Sequence, residues 1–252
     1  MTLSTPRRVL LVQGALLAGG AAIWIAATEG QWVSPIMLAG PVAIASAIGE
    51  GLAQGELPRA LGVTAREVLV AVLVGGPAGL VVGLGGGLWG RGHRALYSVL
   101  IALSSIPVFI LYPLFVVWFG MGPPSKYAFG AVYAFFPVAL NAFAAVRGVD
   151  RQLLVKARSL GARPLQVYLK VVVPASLPTV VVGLRLGVSY AFVGIVATEM
   201  ISAFNGIGYL LSYYALLFQS GKTYGYILVA LLFAFALNTT LRVLERRAGR
   251  WR

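Results

Sequence analysis

An all-α, polytopic membrane fold is predicted by three properties of this 252-residue chain. Hydrophobic residues make up 59% of it and charged residues only 11%. Its mean hydropathy is +0.88. The apolar residues fall into six runs, each near the roughly 20 residues a helix needs to cross a bilayer. Soluble domains carry about a quarter charged residues, so this chain has too few to clothe a water-facing surface. Cysteine is absent, and one histidine stands beside seven acids. That composition leaves no disulfide framework or thiol chemistry. A membrane enzyme would need paired carboxylates, a histidine cluster or a nucleophile with its base, and no such set is spelled out.

The six spans are expected near 9–28, 65–88, 95–119, 127–146, 177–201 and 223–243, within one transmembrane domain covering 1–252. The first run follows Arg7 and Arg8 and is about 19 residues long, beyond the usual signal-peptide core of 7–15. A retained helix is expected there. With the N-terminus inside, the inner segments hold Arg7, Arg8, Arg91, Arg94, Arg147, Arg151, Lys156, Arg158, Arg163, Lys170, Arg242, Arg246, Arg247, Arg250 and Arg252. The outer segments hold Arg59, Arg66, Lys126 and Lys222, and Arg185 lies within the fifth span. This imbalance predicts that both termini are cytoplasmic. It also accounts for the net charge of +13 as topology charge, so no nucleic-acid partner is expected.

The intervening segments and the spans carry their own signals. In the long outer segment 30–63, Pro41–Ala53 is expected to form a short amphipathic helix, and 202–219 a short re-entrant or surface helix. The second span carries Gly75, Gly79, Gly83 and Gly87 at four-residue spacing, the first Gly14, Ala18, Ala22 and Ala26, and the fifth Gly183 and Gly187. Small residues on one helix face let a neighbouring backbone come close. Tight bundle packing is expected there, with a moving or subunit-contacting face as the alternative. Pro77, Pro107, Pro113 and Pro137 lie within spans, where each removes a backbone hydrogen bond and can kink its helix.

The most distinctive stretch is the basic loop 147–173 between the fourth and fifth spans. It reads as a helix, a turn at Gly161-Ala162-Arg163-Pro164, and a second helix. Gly161 suits a helix C-terminus and Pro164 the first turn of the next helix. The product is a compact knob on the cytosolic face, fit to sit in a partner's groove. A basic surface facing anionic lipid is the plainer alternative.

This loop resembles the EAA loop of the permease subunits of bacterial ABC importers, Glu-Ala-Ala-x-x-x-Gly followed nine residues later by Ile-x-Leu-Pro. Ala157, Gly161 and Pro174 match, while Val155 and Lys156 replace the Glu and the first Ala. The segments Ala157–Ala162, Val171–Pro178, Gly183-Leu184-Arg185, Glu199-Met200 and Gly206-Ile207-Gly208-Tyr209 are similar to the nitrate/sulfonate/taurine branch. So are the upstream segments Trp118-Phe119-Gly120, Ser125-Lys126 and Phe135-Phe136-Pro137. That branch tends to place an Arg three residues after a Thr at the start of the second span; here Thr64 is followed by Arg66 and Glu67.

The resemblance implies a type I importer-like fold in the bacterial inner membrane. It implies a homodimer or paired permease, two cytosolic ATPase subunits, and a periplasmic or lipid-anchored substrate-binding protein. ATP and Mg would be bound by the ATPase, with no cofactor in this chain. The implied docking residues are Ala157, Arg158, Ser159, Leu160, Gly161, Ala162, Arg163, Pro164 and Pro174. The substrate would be a small solute, sulfonate-, nitrate- or taurine-like or a small heterocycle. A self-contained secondary transporter or channel is the alternative.

Glu199 is an ionisable group inside a span and a functional candidate on that ground, with a structural bond to another span or a place near the outer mouth as the alternatives. It is grouped with Asn141, Tyr190, Asn205, Tyr209 and Tyr213 as a candidate translocation path. Arg185 is expected to snorkel toward the inner face or to bind an anion. His93 has no acid or cysteine cluster around it in the sequence and is not expected to bind a metal. Ser220-Gly221-Lys222-Thr223 imitates the end of a phosphate-binding loop, but Leu216 stands where the first Gly is required.

Overall fold

The computed structural model describes residues 5–90 and 92–248. Arg91, Arg250 and Arg252 lie outside the described residues, as do the side chains of Arg7, Arg8, Arg246 and Arg247. The described elements are α1 (Thr5–Glu29), α2 (Pro41–Ala53), α3 (Glu56–Leu88), α4 (His93–Ser104), α5 (Tyr112–Phe119), α6 (Pro123–Arg147), α7 (Arg151–Ser159), α8 (Pro164–Val167), α9 (Val173–Ser202), α10 (Ile207–Leu216) and α11 (Ser220–Ala248). A 3₁₀ turn at Val108–Leu111 precedes α5, and a π turn at Tyr168–Val172 joins α8 to α9.

Among the described residues five helices are long and apolar enough to cross a membrane, or six spans if the bent pair α4 and 108–119 counts as one. That pair is where the chain departs from a plain six-rod reading. The run 95–119 bends by 74° at Ser105–Pro107, because Pro107 cannot donate a backbone hydrogen bond. Pro113 sits instead in the first turn of α5, where a proline fits without a kink. The second helix of the basic loop also differs from the expected short rod. It passes through the π turn and continues into α9, so the knob and the fifth span share one helical path.

The chain forms two compact units. In the first, residues 1–58 and 210–229, α2 packs on the start of α11. A Cβ on Gly221 would meet the Ala43 carbonyl oxygen at 3.1 Å, and one on Gly225 would meet Ile48 at 3.2 Å. Glu56 is held by two tyrosines: Tyr214 donates to Oε1 at 2.7 Å and Tyr226 to Oε2 at 2.5 Å. Lys222 lies 4.5 Å from the centre of the Tyr214 ring, and Ser220–Thr223 form the first turn of α11, a helix rather than a phosphate-cradling loop.

The second unit, residues 59–209 and 230–252, is organised around α6. Helix α3 lies against it along the glycine stripe. A Cβ on Gly79 would come 2.7 Å from the Phe135 carbonyl oxygen and one on Gly87 2.8 Å from Val146, while Gly75 and Gly83 abut the Ala131 and Ala139 carbonyls still more closely. On its other side α6 meets α9, where a Cβ on Gly183 would lie 2.6 Å from Asn141 and one on Gly187 2.6 Å from Val138. Val68, Ala71, Ala134, Ala191 and Ile195 close the core between the three helices. The stripe thus serves packing within the chain. Tyr112 and Phe115 of α5 add an aromatic cluster on Phe129.

Gly83→Val is expected to lower the thermal stability of the detergent-purified protein by about 1–3 kcal/mol, the cost of overpacking. Gly85→Val, whose Cβ would meet nothing within 4 Å, is expected to leave the unfolding midpoint within error.

Candidate functional site

The knob is built by backbone chemistry at its turn. Asp150 caps α7 by accepting a hydrogen bond from the Gln152 N–H at 2.8 Å. At the other end, the Gly161 N–H donates to the Arg158 carbonyl at 2.9 Å and the Ala162 N–H to the Ala157 carbonyl at 3.2 Å. This 5→2 and 6→1 pair is the Schellman closure, which requires a left-handed residue. Gly161 supplies it with φ +77°. Ala157 and Ala162 turn inward, against a small core of Val146, Val167 and Val172. The Ala-x-x-x-Gly-Ala spacing therefore encodes a turn and its apolar clasp.

What the knob turns outward is apolar at the tip and basic around it. Leu160 is 87% exposed, and Val155, Leu165 and Leu169 are also exposed. Arg151, Lys156, Arg158, Ser159, Arg163 and Lys170 are exposed beside them. Pro164 opens α8 and Pro174 opens α9. An exposed leucine at the point of a rigid turn, rimmed by cations, fits a partner with an apolar groove and acidic edges.

The candidate path residues do not form one constellation. Tyr190 lines a cavity of about 360 Å³ at the bend of the third apolar run, with Ser104, Ser105, Pro107, Tyr133 and Phe136. Asn141 lies one helical turn from that lining, and its amide donates to the Pro137 carbonyl at 2.7 Å. Glu199 is nine residues from Tyr190, roughly 14 Å along α9. Asn205 is exposed and Tyr209 half-buried after α9. In the other unit, Tyr213 packs edge-on against Tyr214 at 5.1 Å.

Glu199 is 1% exposed. Thr64 donates to its Oε1 at 2.8 Å, and the Gly208 N–H donates to Oε2 at 2.8 Å. The Ile207 N–H donates to Thr64 Oγ1 at 3.0 Å. Together these groups satisfy the first N–H donors of α10, which no helical carbonyl can reach, and a carboxylate there is favoured by the helix dipole. The Gly-x-Gly spacing follows from this closeness. Gly206 has φ +101° and abuts the Glu199 carboxyl group, and a Cβ on Gly208 would strike the Val196 carbonyl.

Sequence reasoning did not find the partners of Glu199. Thr64 and Glu67 face inward from α3 while Arg66 is exposed. Lys126, counted among the outer topology charges, is buried and pairs with Glu67 at 2.5 Å. Lys126 lies buried in the first turn of α6, which Pro123 and Pro124 open. Arg185 pairs with Glu245 at 3.5 Å, a partner from α11. Among the described residues no three His, Cys, Asp or Glu side chains converge on a metal-sized site.

Glu199→Ala is expected to weaken folding by about 1–3 kcal/mol through the unsatisfied N–H groups it leaves. Hydrogen exchange read by mass spectrometry should show faster exchange at 206–209, with the rate in α6 unchanged.

Comparison with known proteins places this geometry. Residues 75–250 match the family described as binding-protein-dependent transport system inner membrane component. The chain is 33% identical over 220 residues to a Bacillus subtilis protein named as aliphatic sulfonates transport permease SsuC, covering 87% of this chain and 80% of that one. It is 30% identical over 250 residues to the taurine transport system permease protein TauC of Escherichia coli, covering 97% and 90%. A chain from inward-facing conformations of the MetNI methionine ABC transporter shares its fold with a TM-score of 0.62, at 20% identity, over 72% of this chain and 92% of that one. The chain belongs to the binding-protein-dependent transport system inner membrane component family, and is a multi-pass membrane permease of an ATP-binding-cassette importer.

Proposed function

We propose that two copies of this chain, or this chain and a paired permease, enclose a path for a small solute, and that the Gly161 knob of each docks on a separate cytosolic ATPase subunit. The observation that carries this reading is the knob itself: a rigid turn with an exposed apolar tip and a basic rim, continuous through the π turn with the 30-residue helix α9. ATP and Mg act in the ATPase, which pulls on the knob. A periplasmic or lipid-anchored binding protein delivers the solute at the other face. Both termini lie in the cytoplasm, in agreement with the distribution of Lys and Arg.

The solute class proposed is that of the relatives: sulfonates and taurine, named for SsuC and TauC, or a small heterocycle, as named for the formylaminopyrimidine transport permease ThiX of Halalkalibacterium halodurans, 31% identical over 69% of this chain and 70% of that one. We assign the cavity at Tyr190 to the path. It is concave, aromatic and carries hydroxyl groups from Ser104, Ser105, Tyr133 and Tyr190, the mix of apolar wall and a few polar groups found in small-molecule sites. Glu199, Asn205 and Tyr209 stand at the end of α9 remote from the knob, and there they shape the exit of the path. Asn141, one turn from the cavity lining, flanks the path in the same proposal.

Docking is tested by co-purifying the chain with its ATPase. Leu160→Asp and Gly161→Val are expected to reduce ATP-driven uptake at least tenfold in reconstituted vesicles while the permease still inserts. Unchanged uptake, or uptake in vesicles that lack nucleotide, would refute the docking. The path is tested by single cysteines in this cysteine-free chain. A cysteine at Tyr190 or Ser105 is expected to react with a water-soluble maleimide, faster or slower when ATP is trapped in the complex. No reaction in either state would remove the cavity from the path.

A further inference from the structure

The end of the second unit remote from the knob holds a group of buried ionisable side chains. Glu67 comes from the early turns of α3, Lys126 from the first turn of α6 and Glu199 from the last turn of α9. Their exposures are 2%, 2% and 1%. Lys126 Nζ lies 2.5 Å from Glu67 Oε1. The other oxygen, Glu67 Oε2, is buried and has no hydrogen-bond partner among the described residues. Glu67 lies one helical turn beyond Thr64 on the same buried face of α3, and Thr64 holds the Glu199 carboxyl group at 2.8 and 3.0 Å, so the two carboxyl groups are neighbours.

Helix α6 contributes Lys126 to the surroundings of this pair, α3 contributes Arg66, and the start of α10 contributes backbone N–H groups. Arg66 points to the exposed side of α3, where solvent screens it. Two ionised carboxylates would therefore share one buried ammonium. Like charges at such range in a low-dielectric interior do not both persist, and a carboxylate oxygen without a donor carries its full desolvation cost. Thr64 and Gly208 already supply the donors that Glu199 accepts. The group still missing is one hydrogen between Glu67 Oε2 and Glu199.

We propose that Glu67 and Glu199 hold one shared proton, taken from solvent, and that this is a proton-binding site joining α3 to the loop that starts α10. With the proton in place, one carboxylate balances Lys126 and the other carboxyl group donates across the pair. When the proton leaves, the carboxylates repel and the clasp on Ile207 and Gly208 loosens.

The test is infrared spectroscopy of the full-length permease in lipid nanodiscs at neutral pH. A carbonyl stretch of a protonated carboxyl group is expected, shifted by ¹³C labelling of glutamate side chains and lost in both Glu67→Gln and Glu199→Gln. Each variant is first checked for a monodisperse, helical protein. If either fails to fold, Glu29→Gln, Glu50→Gln, Glu56→Gln and Glu245→Gln are each expected to leave the band intact. Absence of the band in the labelled wild type overturns the proposal. So does a band that survives both substitutions, or one that a substitution at any of the other four glutamates removes.

Discussion

Close approach between helix backbones is the constraint on which the second unit depends. In lipid, apolar side chains gain nothing by leaving the solvent for one another, so helices associate through packing and internal hydrogen bonds. Helix α6 meets α3 at glycines on one side and α9 at glycines on the other. Any side chain larger than hydrogen at Gly75 or Gly83 would enter a carbonyl group of α6. This sets the separation and register of the three helices, and with them the positions of Lys126, Glu67 and Glu199. A polar group in such a core must find its partner inside the protein. The precise spacing imposed by the glycines is what makes those partners reachable.

The same rigidity gives the knob mechanical meaning. Its floor is formed by Val146 at the end of α6, Val167 of α8 and Val172 of the π turn, with Leu84 of α3 packed alongside. A push on Leu160 is therefore received by the ends of three helices. Cores of this density shift as bodies and do not deform smoothly. From that floor α9 runs past Tyr190 and, farther on, to Glu199.

The elements with local causes were legible in the sequence. Apolar runs marked the helices, the four-residue glycine repeat marked the α3–α6 contact, and Gly161 with Pro164 marked the turn of the knob. Pro41–Ala53 emerges as a helix with the bounds expected of it. Pro107 was among the prolines expected to be able to kink a span, and it lies at the 74° break, but the sequence did not set it apart from Pro113, which lies in the first turn of α5. The environment of Glu199 was legible only in part. Its isolation in an apolar span marked it out, but its donor Thr64 is 135 residues away in the chain. Lys126 read as a loop charge because hydropathy cannot tell a cation in water from one neutralised by a buried partner. The Gly206-x-Gly208 spacing was visible as a pattern, while its cause, the carboxyl group packed against it, is a tertiary fact.

The wide turn at Tyr168–Val172 bears on how such a chain tolerates change in its length. An α-helix advances about 100° per residue, so an extra residue inserted in a uniform rod would swing everything beyond it to a new azimuth. A π turn absorbs the surplus within a single loop of backbone. The helices on the two sides of the turn thus keep their rotational phase across the surplus residue.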